Sequence, residues 1–226
     1  MTSIDGDIFR NNSNLHVLNI AHNQISTINQ EAFKSLKNLR GRHLFAYYLF
    51  DQPNLILCFI LSALRLDNNE LKDINGLVSS QKNLKWLNVS TNQIQVRRVN
   101  YQMKDKIFIV ITLQWFDFAF IPKSLEWLDI HNNKIDKIGN YYTLGSGFSL
   151  QTFDASFNQI SELGASTLLH GLRSIYLNNN RISKIAPESF HSLSNLSRVE
   201  LQNNQMISLV SDAVLTSNTG KQVSSI

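Results

Sequence analysis

The residue types that carry most protein chemistry are sparse and scattered in this 226-residue sequence. The single cysteine, Cys58, has no base paired with it in any nucleophile motif, and the six histidines follow no metal-ligand spacing. The sequence also contains no glycine-rich phosphate loop and no serine elbow. These features predict a protein that is not an enzyme, with no catalytic residue, no cofactor and no metal site.

Asparagine, in contrast, recurs at a fixed place. It stands ninth in the eleven-residue pattern Leu-x-x-Leu-x-Leu-x-x-Asn-x-Leu, which appears as LHVLNIAHNQI from Leu15 and as LKWLNVSTNQI from Leu84. An amide side chain after a strand can satisfy backbone groups that the following turn leaves unpaired. We therefore predict a structural ladder of seven asparagines: Asn23, Asn69, Asn92, Asn133, Asn158, Asn180 and Asn204.

The same pattern predicts the elements that hold these asparagines. Two apolar residues separated by one variable residue indicate a short strand with one buried face, and a period of 20 to 30 residues is typical of the leucine-rich repeat. In the other half of the repeat, Phe33 and Phe190 are expected to be buried and to pack in the core. The predicted fold class is α/β: a leucine-rich repeat solenoid, or horseshoe arc, with a parallel β-sheet on the concave face and 3₁₀, short helical or irregular convex segments.

Two stretches interrupt this period. Successive asparagine intervals are 46, 23, 41, 25, 22 and 24 residues, and the excess lies in residues 41–63 and 96–114. As loops they would expose large apolar patches, and their apolar runs fall short of the roughly 20 residues that span a membrane. Because their ends are compatible with splice-site codons, we interpret both as non-native insertions, retained introns translated in frame. Residues 1–226 are then one array of about seven repeats, truncated at both ends.

The formal net charge of +4 does not indicate an anionic partner. Residues 96–114 supply most of the excess positive charge, and no basic stripe follows the repeats. We therefore expect no nucleic-acid partner and no membrane contact by this segment itself.

Three segments carry a more specific resemblance: WLNVSTNQI from Trp86, WFDFAFIPKSLEWLDIHNNKIDKIGNYY from Trp115 and LQTFDASFNQISELG from Leu150. They resemble the ectodomains of insect Toll receptors, in the long-ectodomain branch that includes Tollo and 18-wheeler. The resemblance implies the extracellular face of the plasma membrane, in a receptor for innate immune or developmental signalling. It also implies a cystine-knot cytokine-like ligand, or another leucine-rich repeat receptor, as the partner.

The chain departs from that family in having no signal peptide, transmembrane helix or signalling domain, so we expect an incomplete fragment that binds but does not signal. A secreted or surface leucine-rich repeat adhesion protein is the alternative. A cytosolic repeat scaffold is a third possibility.

On the concave face, removal of residues 96–114 would make Trp86 and Trp127 neighbours on adjacent strands. Tryptophan is enriched at interface hot spots, but a mutually stacked pair that only stiffens the sheet is the competing interpretation. The acidic pair Asp129 and Asp154 is interpreted as a solvated face. The predicted partner-binding residues are Trp86, Trp127, Asn88, Asp129, Asp154, Tyr176, Arg198 and Glu200.

Three sequons begin at Asn11, Asn88 and Asn195 and are glycosylation candidates. Asn195 is the best of them, because it is expected at a corner between a convex segment and a strand. A glycan on Asn88 would instead cover part of the concave face beside Trp86. The glycan hypothesis and the hot-spot hypothesis therefore compete at this position.

Overall fold

The computed structural model describes most of the repeats and little of the two interrupting stretches. Residues 41–60 and 96–114 lie outside the described part of the chain, so the predicted insertions are untested there. The described residues are 1–12, 15–29, 31–33, 36, 61–74, 77–78, 81–95, 116–118, 121–139, 147–165, 167–187, 189–190, 193–206 and, for the backbone alone, 222–224.

The described chain forms short parallel strands that stack in sequence order, as the repeat pattern predicts. Eight of them build one sheet, and six others make three separate two-stranded parallel pairs. The strands of the large sheet are β2 (Val17–Asn19), β4 (Ala63–Arg65), β5 (Trp86–Asn88), β7 (Trp127–Asp129), β9 (Thr152–Asp154), β11 (Ser174–Tyr176), β13 (Arg198–Glu200) and β14 (Gln222–Ser224). The paired short strands are β1 (Ser3–Ile4) with β3 (Thr27–Ile28), β6 (Phe116–Asp117) with β8 (Ile138–Gly139), and β10 (Glu162–Leu163) with β12 (Lys184–Ile185).

The register of the large sheet aligns equivalent repeat positions on neighbouring strands. Leu87 pairs with Leu128, so β5 and β7 are adjacent although residues 96–114 separate them in sequence. Ala63 pairs with Val17 on one side and Trp86 on the other. The last residues of the stretch 41–63 therefore lie inside a regular repeat.

In the seven strands from β2 to β13 of the large sheet, the central residue is buried in the core, and most of its neighbours are at least partly exposed. Leu64, Leu87, Leu128, Phe153 and Ile175 are completely buried, and each such side chain contributes roughly 1.5–3 kcal/mol when it is removed from water. Both phenylalanines of the other half-repeat, Phe33 and Phe190, are also buried. The predicted fold, a leucine-rich repeat solenoid with a parallel sheet, is confirmed.

Seven strands of the large sheet, from β2 to β13, lead into a turn of the same unusual backbone conformation. The residue before each ladder asparagine has a φ between 49° and 58°, in the left-handed region that asparagine tolerates better than most residues. Thr91 and Phe157 occupy this position in two repeats, where a β-branched or bulky side chain is strained. The seven residues are His22, Asn68, Thr91, Asn132, Phe157, Asn179 and Asn203.

The convex half of the repeat is built from turns and two-residue strands. No α-helix is found among the described residues. That part of the chain accordingly holds no helix with the length and apolar character needed to cross a membrane.

Candidate functional site

The asparagine ladder joins successive repeats through one amide side chain per repeat. Asn133 Oδ1 accepts a hydrogen bond of 2.9 Å from the Ile94 backbone N–H of the preceding repeat, and its Nδ2 donates to the Val89 carbonyl of that repeat at 3.1 Å. The same Nδ2 donates to the Ile130 carbonyl of its own repeat at 3.0 Å. Equivalent bonds between repeats are made by Asn69, Asn92, Asn158, Asn180 and Asn204.

The first asparagine of the series differs from the others. Asn23 is exposed, and its amide donates to the carbonyls of Ile20 and Ala21 within its own repeat. The inner ladder amides bond across two repeats, so they act as cross-links between neighbouring turns of the solenoid.

On the concave face, β5 and β7 bring the two predicted tryptophans into contact. Trp86 and Trp127 are register partners, and their rings stack with centroids 4.6 Å apart and an interplanar angle of 9°. Both side chains are only partly buried. The pair therefore presents a flat, rigid aromatic surface at the middle of the sheet, as an interface anchor would.

Next to the tryptophans lies the acidic pair Asp129 and Asp154, whose expected role is a solvated face. That expectation is wrong for Asp129, which is only 6% exposed. Asp154 is its register partner on β9 and is partly buried. His131 packs against them, with its Nδ1 2.7 Å from Asp129 Oδ1.

Burial and charge perturb the titration of this cluster. Burial raises the pKa of Asp154, and the nearby charge of Asp129 raises it further, so that together they outweigh the hydrogen bonds donated by Ser156. The hydrogen bond with Asp129 raises the pKa of His131 and outweighs the opposing effect of burial. The pKa of Asp154 is therefore raised mainly by burial, and that of His131 mainly by its contact with Asp129.

Sequence reasoning missed His131 because it treated the histidines one at a time. The detectable signal was an Asp-x-His sequence at residues 129–131, followed by Asp154 at the matching position of the next repeat. Register places these three residues side by side, and their donor atoms lie within 4.8 Å of one another.

The N-terminal flank of the concave face has its own ion pair. Arg65 Nε lies 3.0 Å from Asp67 Oδ1. Burial raises the pKa of Asp67, but the hydrogen bonds from Arg65 and Asn68, together with the charge of Arg65, outweigh it and lower the pKa. This carboxylate is therefore matched by a positive charge within its own strand and turn.

The C-terminal flank carries the remaining predicted binding residues. Arg198 Nε donates to Glu200 Oε1 at 2.9 Å, and the Arg198 guanidinium lies over the Tyr176 ring at 5.3 Å from its centroid. The structure thus places the three residues in one group that adjoins the acidic pair. Tyr176 is the register partner of Asp154, and Arg198 and Glu200 lie one strand further along the sheet. Their charged groups are paired with one another.

The three sequons differ in accessibility. Asn11 and Asn195 are exposed. Asn88 is partly buried in the concave sheet, and its Oδ1 accepts hydrogen bonds from the Ser90 backbone and hydroxyl at 2.9 Å and 2.7 Å. On these grounds Asn195 and Asn11 stay the stronger glycosylation candidates.

The stacked parallel strands, the buried leucine positions and the asparagine ladder define the class of protein as a leucine-rich repeat solenoid. A family profile described as leucine rich repeat matches residues 1–41 and 148–206. The chain is built of leucine-rich repeats, and the proteins related to it include both Toll-like receptors and secreted leucine-rich repeat proteins.

Among the curated relatives, Toll-like receptor 7 of Drosophila melanogaster is 39% identical over 143 residues, which are 63% of this chain and 9% of that receptor. Lumican of Mus musculus is 26% identical over 211 residues, covering 84% of this chain and 51% of lumican. The chain thus spans about a tenth of the receptor and about half of lumican.

Solved structures support the same fold. The structure of a TLR13–ssRNA13 complex superposes with a TM-score of 0.63 at 24% identity, over 90% of this chain and 24% of that one. The leucine-rich repeat domain of APL1B superposes with a TM-score of 0.64 at 19% identity, over 91% of this chain and 46% of that one. At these identities the likeness concerns the fold alone.

Proposed function

We propose that this chain is a protein-binding segment of a Toll-like cell-surface receptor of the long-ectodomain insect branch. The observation that carries the proposal is the stacked, partly exposed Trp86–Trp127 pair at the centre of the concave sheet. The 39% identity to an insect Toll-like receptor supports an extracellular receptor as the parent protein.

The partner we propose is a cystine-knot cytokine-like protein or another leucine-rich repeat receptor. The concave face offers it an aromatic centre, with an acidic cluster on one side and the Arg65–Asp67 ion pair on the other. A rigid aromatic centre surrounded by polar groups is the usual composition of a protein-binding hot spot.

A binding experiment with the Trp86→Ala/Trp127→Ala double variant tests the proposal. Purified cystine-knot cytokines and receptor ectodomains from the source organism would be measured against the purified chain by surface plasmon resonance. Truncation of anchor residues costs about 2 kcal/mol or more, which is a loss of affinity of roughly thirtyfold. The matched control is Asn19→Ala/Ser174→Ala, which changes concave residues outside the pair and should alter binding little.

The circular dichroism spectrum of each variant shows whether the solenoid is intact. Equal binding by the folded tryptophan variant would contradict the proposal.

A secreted adhesion protein is the second candidate, and the lumican similarity over 84% of the chain favours it. Fractionation of the parent protein in its own cells separates the two, because the receptor stays with the plasma membrane and the adhesion protein is released.

A further inference from the structure

The concave sheet gathers one histidine and two carboxylates at a single point. Asp129 ends β7, Asp154 ends β9, and the two are paired in register, so the backbone fixes their proximity. His131 follows β7 by two residues and lies on the same side. One donor atom from each of the three residues lies within 4.8 Å of the others.

The burial and hydrogen bonding of Asp129 are an independent indication that this cluster binds a ligand. Its side chain is only 8% exposed, yet both hydrogen bonds that it accepts from the described residues go to Oδ1, from the His131 backbone and ring. Within the described part of the chain, no donor reaches Oδ2. A buried carboxylate oxygen without a donor is unfavourable, and a neighbouring carboxylate increases that cost.

The rest of the concave face does not repeat this arrangement. At the position of Asp129 the two preceding repeats carry Arg65 and Asn88, so no carboxylates are paired there. At the position of His131 the neighbouring repeats carry Ser90 and Ser156. The cluster is therefore a local feature of two repeats and is not required by the solenoid.

We propose that Asp129, His131 and Asp154 bind a divalent transition-metal ion, for which Zn²⁺ is the best chemical match. Ca²⁺ and Mg²⁺ prefer six or more oxygen ligands, whereas an imidazole nitrogen with two carboxylate oxygens suits zinc. Three protein ligands leave a fourth position open toward the concave side, where water or a partner's side chain can bind.

The geometry is close to that of a bound site. Zinc–ligand bonds of about 2.0–2.2 Å place neighbouring ligands of a tetrahedral site about 3.4 Å apart. The longest present separation, 4.8 Å, shortens to that value by side-chain rotation. His131 and Asp154 are only partly buried and have room to rotate.

Two substitutions test the site without disturbing the turns. In Asp154→Asn, the amide oxygen can still accept from the Ser156 backbone, as Asn88 Oδ1 does from Ser90 at 2.9 Å. In His131→Ser, the new residue is the one that two neighbouring repeats carry at this position. Both variants should therefore fold, which thermal unfolding in the absence of metal verifies.

The measurement is isothermal titration of the full chain with ZnCl₂, in a Cys58→Ser background so that no thiolate competes for the metal. We expect one equivalent of zinc to bind, and each substitution to weaken binding at least about tenfold. CaCl₂ should give no binding. The matched controls, His22→Ala and Asp136→Asn, remove an exposed histidine and an exposed aspartate elsewhere and should bind zinc like the parent.

Cobalt provides a second readout, because the visible absorption of bound Co²⁺ reports its ligands. The spectrum should change in Asp154→Asn and stay unchanged in Trp86→Ala/Trp127→Ala, which separates this site from the proposed protein-binding anchor. Absence of zinc binding by the parent chain overturns the proposal. Equal zinc affinity in the two site variants also overturns it.

Discussion

The asparagine ladder and the concave face lie a few residues apart in every repeat, yet they differ in how much the residue type varies between repeats. The ladder uses the same residue seven times, and in six of the repeats it bonds to the preceding repeat. On the concave row, the seven positions that include Arg65, Asp129 and Tyr176 carry five different residue types.

The difference follows from what the backbone leaves unsatisfied. At the turn, buried N–H and carbonyl groups need a partner in each repeat, so the side chain must be an amide. In the strand, the backbone groups already bond to neighbouring strands. A concave side chain is therefore free to serve a partner, and its variation between repeats marks the surface where function can reside.

The strongest test of this comparison removes one amide from the ladder. Asn133→Ala should lower the free energy of unfolding by about 2–4 kcal/mol, because each buried backbone group left without a partner costs about 1–3 kcal/mol. Asn23→Ala is the matched control and should cost less than about 1 kcal/mol, since Asn23 is exposed and bonds only within its repeat. Chemical denaturation measures both, and equal losses would contradict a cross-linking role.

The second test asks whether the tryptophan pair is structural as well as accessible. A double-mutant cycle of Trp86→Ala and Trp127→Ala should give a coupling energy of about 0.5–1.5 kcal/mol in the free energy of unfolding, which is the usual value for stacked rings. The Asn19→Ala and Ser174→Ala cycle should give none, because these residues lie on separated strands. A coupling well above that range would favour the stiffening interpretation over the binding one.

A smaller effect is expected where the turn of one repeat departs from the others. Thr91 has a φ of 49°, a conformation that four other repeats fill with asparagine. Thr91→Asn should raise the free energy of unfolding by about 0.5–1 kcal/mol, because left-handed strain of a β-branched residue is of order 1–2 kcal/mol. Thr91→Val is the control and should give no gain in a thermal unfolding experiment.

The smallest effect on the fold should come from the largest deletion. If residues 41–63 and 96–114 are retained introns, mature transcripts should lack them, with one residue left between Arg40 and Leu64. The shortened protein should unfold at the same temperature or higher, because the ladder and the Leu87–Leu128 pairing already join the flanking repeats. Transcripts that keep both stretches, with loss of partner binding on deletion, would show instead that they are functional loops.

Sequence reasoning predicted the solenoid, the ladder positions and the row of concave residues because each follows from a period. A fixed period with alternating burial specifies parallel strands, and parallel strands in register align equivalent residues. The adjacency of Trp86 and Trp127 followed from the same reasoning, and the structure has it.

Other properties depend on groups that the repeat does not specify. The sequence by itself determined which residues share a row, since backbone register sets that spacing. The tertiary structure decided that Asp129 is buried, that His131 meets two carboxylates and that Trp86 stacks face to face on Trp127. Side-chain torsion and burial set those outcomes, and both depend on packing between residues of different repeats that no single repeat encodes.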